Sequence, residues 1–121
     1  MKTIVVTAIV MVLAASPFFN HDETEQILHQ ITQKTGGYVE RRDQFEGDKY
    51  AVVALPGGYD FDRVRNSVDL VTATTGIEYI REWEGREETG YIAVLELNGV
   101  TAGMSYNGDT IMFMEYGDFR G

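Results

Sequence analysis

Two segments of this chain carry apolar residues along only one side of a helix, and this restricts the possible folds more than any other feature. Ile27, Leu28 and Ile31 form a stripe whose line Thr24 and Thr35 extend, while Phe61, Val64, Val68 and Val71 recur at the spacing of helical turns. A helix with one sticky face has to bury it, so each segment needs a neighbour. Asn20-His21-Asp22-Glu23 opens the first helix, with Asp22 and Glu25 spaced as a capping pair; Lys34 and Gly36-Gly37 close it. Asp60 is the expected cap of the second helix and Gly76 its end.

Strand patterns supply that neighbour. Tyr38 to Phe45 and Lys49 to Leu55 read as a hairpin, and Tyr50 to Leu55 is apolar on both faces, which predicts an inner strand. Ile77 to Trp83 and Tyr91 to Leu97 follow, linked by the charged run Glu84-Gly85-Arg86-Glu87-Glu88. Asn98-Gly99 and Asn107-Gly108 are hairpin signals that divide the C-terminal third into short strands. In the last of these, Thr110, Met112, Met114 and Tyr116 share one face, and Ile111, Phe113 and Glu115 the other.

Tyr38-Val39 matches Tyr79-Ile80, and Tyr50 to Val53 matches Tyr91 to Val94, at an offset of 41 residues. The pattern predicts an α+β fold: a single antiparallel β-sheet with two amphipathic helices packed on one face, arranged as a tandem αββ repeat plus a C-terminal hairpin. With Met1–Ala15 as a first strand, the order becomes ferredoxin-like βαββαβ.

Met1-Lys2 and the uncharged run Thr3 to Ala15 have the layout of a secretory leader. The run is too short to span a membrane comfortably, which takes about 20 apolar residues. The expected organisation is therefore a leader over 1–15 and one α+β domain over 16–121, secreted or periplasmic, with no integral membrane segment in the mature chain. Retention of Met1–Ala15 as a strand would make the protein cytoplasmic.

The 121 residues include 19 acidic and 10 basic ones, a net charge of −9, and no basic run, which argues against a nucleic-acid partner and for a basic one. The absence of cysteine excludes disulfides, thiolate nucleophiles and Cys-bound zinc. No serine lies in a G-x-S-x-G turn and no phosphate-binding fingerprint is present, so neither catalytic residues nor a cofactor are expected, and the balance leans away from an enzyme. His21, Glu25 and His29 fall at i, i+4 and i+8, a spacing that suggests a metal site, but a solvated helix face is the favoured explanation.

Aromatic residues are the more suggestive set. Tyr38, Tyr79, Trp83, Tyr91, Tyr106 and Tyr116 sit on expected strands, and Tyr and Trp suit half-wet contacts. The expectation is a small protein- or peptide-binding module, an inhibitor among the possibilities, that uses an aromatic sheet face. The alternatives are a cytoplasmic ferredoxin-like dimer that binds a ligand, and a metal-binding protein or enzyme built on His21, Glu25 and His29. Helix followed by antiparallel hairpin is also the element order of peptidase-inhibitory propeptide domains, but no motif residue is shared and no family follows from order alone.

Overall fold

The computed structural model describes residues 18–57, 61–84 and 91–117, with side chains described at all of these except 81–84 and 116–117. The leader or first strand at Met1–Ala15, the cap expected at Asp60 and most of the charged run after Glu84 lie outside the described residues.

The chain forms helix α1 (Asp22–Thr35), strands β1 (Tyr38–Phe45) and β2 (Asp48–Ala54), and helix α2 (Phe61–Thr74). Strands β3 (Glu78–Glu84), β4 (Tyr91–Leu97), β5 (Val100–Tyr106) and β6 (Thr110–Gly117) follow. The six strands make one sheet in the order β1-β2-β6-β5-β4-β3, antiparallel at every pairing. The predicted α+β architecture is present. The C-terminal hairpin of β5 and β6 lies in the middle of the sheet, where β6 joins β2 to β5.

Turn chemistry sets the hairpins. Asn98 and Gly99 both adopt positive φ (53° and 86°) between the paired Leu97 and Val100, the conformation in which a two-residue turn matches strand twist. Glu46 and Gly47 do the same between Phe45 and Asp48. At the third turn Gly108 alone has positive φ, and Asn107 pairs back to Thr110 through its N–H.

One face of the sheet carries the core. Ala51, Val53, Tyr91, Ala93, Leu95, Ala102, Met104, Tyr106, Ile111 and Phe113 occupy alternate positions on four inner strands and form one cluster with Ile27, Leu28, Ile31, Val64, Val68 and Val71 of the helices. Both predicted stripes are thus buried against the same side of the sheet. Across the sheet the register runs Ala51–Phe113–Met104–Ala93, with large residues at the centre and alanines beside them.

The entry to α1 is fixed from a distance. Glu115, on the helix side of β6, accepts hydrogen bonds from the N–H groups of Asn20 (3.0 Å) and His21 (3.1 Å) and from Thr24 Oγ1 (2.6 Å). His21 occupies the cap position and makes no side-chain cap bond. Glu25 reaches back to the N–H of Phe19 and pairs with Arg42 at 2.8 Å. The local Asp22–Glu25 capping pair expected from sequence is therefore replaced by one long-range carboxylate and one local one. Replacing Glu115 by Ala should cost about 2 kcal/mol, because the buried Thr24 hydroxyl and two helix-end donors lose an ionised acceptor. A fall in the urea midpoint with unchanged m checks this; an unchanged midpoint would refute the capping role.

The two edge hairpins share a geometry. Each carries one bulge near the start of its edge strand, between Val39 and Arg41 in β1 and between Tyr79 and Arg81 in β3. At each preceding helix end a threonine, Thr35 as the last residue of α1 and Thr75 just after α2, donates from Oγ1 to the carbonyl one turn back and accepts the N–H two residues on.

Candidate functional site

Strand periodicity leaves the second face of the sheet without a helix among the described residues. Three adjacent rows can be read from the register. One runs Arg41–Val52–Met112–Ser105–Ile92, the next Asp43–Tyr50–Met114–Gly103–Val94, and the third contains Thr101, Glu96 and Glu78. Phe45 opposite Asp48 and Tyr38 opposite Ala54 extend this face at the two ends of the first hairpin.

Most of its apolar side chains meet water. Phe45 is 67% exposed, Tyr38 56%, Met112 42% and Ile92 40%, while Val52 and Val94 lie buried between their neighbours. Tyr50 is half-buried, and the Arg41 guanidinium stands 5.9 Å from the centre of its ring. Scattered exposed apolar residues are ordinary; several sharing one face of a sheet are a feature of interaction surfaces.

The tyrosines expected to line one face divide between two. Tyr91 and Tyr106 are paired across β4 and β5 and buried beneath the helices. Tyr79 packs against the same core, donates from its hydroxyl to Asp69 Oδ1 (2.7 Å) and lies 3.0 Å from the Tyr91 hydroxyl. Among these residues, only Tyr38 lies on the helix-free side with a described side chain. Trp83 pairs with Ile92 in the backbone register, but the side chains of Trp83 and Tyr116 lie outside the described residues. The cause is parity: residues 79, 91 and 106 fall in the helix-facing register. Tyrosine tolerates that burial when its hydroxyl finds a partner.

Sequence reasoning had not singled out Phe45, Tyr50, Ile92 or Met112 as site residues. Their signal was present in β2 and β6, where apolar residues occupy both strand faces although helices cover only one.

The two edges of the sheet are poor docking points. β1 exposes Glu40, Arg41, Arg42 and Asp43, and both β1 and β3 are bulged, which discourages the pairing of an added strand. A partner would therefore meet the face of the sheet and not its rim.

The metal alternative finds no geometry. His21 sits at the end of α1, Glu25 is engaged by Arg42 and Phe19, and His29 is exposed; among the described residues no group of three His, Asp or Glu side chains is placed to hold a metal ion. Among the described residues no helix is long and apolar enough to cross a membrane. No protein-family model, no curated protein and no solved structure matches the chain.

Proposed function

We propose that this protein is a small secreted or periplasmic binding module that recognises a protein or peptide through the helix-free face of its sheet. The observation that carries the reading is the exposure of Phe45, Tyr38, Met112 and Ile92 on one face, around the buried Val52 and Val94. Exposed apolar surface costs solubility, and a monomer that keeps it exposed gains from a partner that covers it. The guarded edges favour face-to-face contact over strand addition. Export rests on the layout of Met1–Ala15. The shared bulge and threonine cap support an αββ unit used twice.

One experiment with two arms tests this reading. Affinity isolation compares the wild-type protein with an Ile92→Ala, Met112→Ala double variant; both residues are partly exposed, so the fold should persist. Truncating two central anchors should weaken capture of a bound protein by at least about tenfold. Equal capture by both forms would remove the face from consideration. In the second arm, N-terminal sequencing of the naturally produced protein should find a start near Ala15; a product retaining Met1–Ala15 would overturn the export component.

A further inference from the structure

We infer that the occupant of the helix-free face is a basic polypeptide, one that sets large apolar side chains beside lysine or arginine; the inference rests on that face being a binding surface. Its basis is where the acidic residues fall on the sheet. Asp43 and Asp48 in the first hairpin, and Glu78 and Glu96 in the second, all occupy helix-free register positions next to the apolar band. Aspartate and glutamate are depleted in strands, so four at these positions run against local preference.

Glu78 stands directly opposite Glu96, a like-charged cross-strand pair that weakens the sheet. Among the described residues the one ion pair is Arg42–Glu25, on the other side of the sheet, and it involves none of these four carboxylates. Arg41 and Arg81 also hold helix-free register positions, opposite Val52 and Val94, and Arg41 lies over the Tyr50 ring. The result, among the described register positions, is an apolar band whose margin holds four carboxylate residues against two arginines.

A second copy of the chain fits this surface badly. Two such faces brought together would juxtapose two acidic margins, on chains that each carry a net charge of −9. Nucleic acid and anionic lipid are disfavoured for the same reason. A partner with cations opposite the margin is attracted on approach and rewarded at contact. Spacing narrows the class further. Glu96 is two residues from Val94, and Asp48 two residues from Tyr50, so carboxylate and apolar positions lie about 7 Å apart along the strands. The complementary partner carries its cation at that distance from an apolar anchor.

The test uses the full chain, isotopically labelled, and two synthetic peptides. In one, lysine alternates with leucine and phenylalanine; in the other, glutamate replaces every lysine. The lysine peptide should shift the amide signals of β1, β2, β4 and β6 and bind at least about tenfold more tightly than the glutamate peptide at low salt. That gap should narrow as salt is raised. A Glu78→Gln, Glu96→Gln variant should bind the lysine peptide severalfold more weakly while keeping the spectrum of the folded protein. Equal binding of both peptides at the face, or tighter binding of the glutamate peptide, overturns the basic partner but leaves the face as a binding surface. Shifts confined to the helices, or no binding of either peptide, overturn the surface itself. Concentration-dependent self-association through the same signals makes the occupant a second copy and overturns the inference.

Discussion

Replacing Phe113 by alanine is expected to remove about 3–5 kcal/mol of stability, the largest effect of any single truncation considered for this chain. Phe113 is fully buried and lies at the centre of the sheet, opposite Ala51 on one side and Met104 on the other. Its ring meets Phe19 edge-on, with centroids 5.6 Å apart. The flanking Ala51 has only a methyl group, too short to refill the space, so a cavity remains and its cost adds to the lost transfer energy. For a domain whose total stability is about 5–15 kcal/mol, that loss leaves little margin. The control is its neighbour on the same strand. Met112 points to the helix-free face and is 42% exposed, so Met112→Ala should cost under about 1 kcal/mol. Urea titration of the two variants should give well-separated midpoints with similar m. Equal midpoints would contradict the two-faced sheet and, with it, the binding surface proposed on its far side.

The contrast between these adjacent residues also shows how far the sequence could be read. The stripe Thr24, Ile27, Leu28, Ile31 and Thr35 was visible as a period and is the buried face of α1. β1 and β4 begin and end where their patterns do, because turn residues bound them closely. The alternation in β6 separated Phe113 from Met112. Periodicity divides each strand into two sides, but it does not say which side of one strand continues which side of the next. That information lies in the pairing register, and here the middle strand comes from the C-terminus. Tyrosine makes the problem worse, since its ring suits a core and its hydroxyl suits water. Tyr91 and Tyr38 therefore look alike in sequence, yet one is buried and the other exposed. Glu115 was equally opaque. A carboxylate at the helix-facing position of a strand looks like an error until a helix terminus separated from it by 91 to 95 residues supplies the donors.

The second large effect should come from adding a single methyl group. Gly37 links α1 to β1, and a Cβ placed there would lie 2.6 Å from the carbonyl oxygen of Ala54, 2.9 Å from Val53 Cγ1 and 3.1 Å from Leu55 Cδ2. The shortest of these contacts is to the backbone of β2, a strand held on both sides by β1 and β6, so no side-chain rotation relieves it. Gly37 is itself anchored, its N–H donating to Thr32 O (3.1 Å) and Thr35 Oγ1 (3.3 Å). Gly37→Ala should therefore force the helix end and the strand apart and cost about 3 kcal/mol, the upper part of the range for overpacking. Gly76, at the corresponding end of α2, provides the comparison. A Cβ there would meet only Leu97 Cδ1, at 3.8 Å, which is ordinary contact. Neither glycine has positive φ, so the difference isolates steric crowding from backbone freedom. Gly76→Ala should leave stability within about 0.5 kcal/mol of wild type. Thermal unfolding of the two variants separates the cases: if Gly37→Ala melts together with Gly76→Ala, the α1–β1 connection does not approach β2 as closely as the packing requires, and the entry to β1 would have to be redrawn.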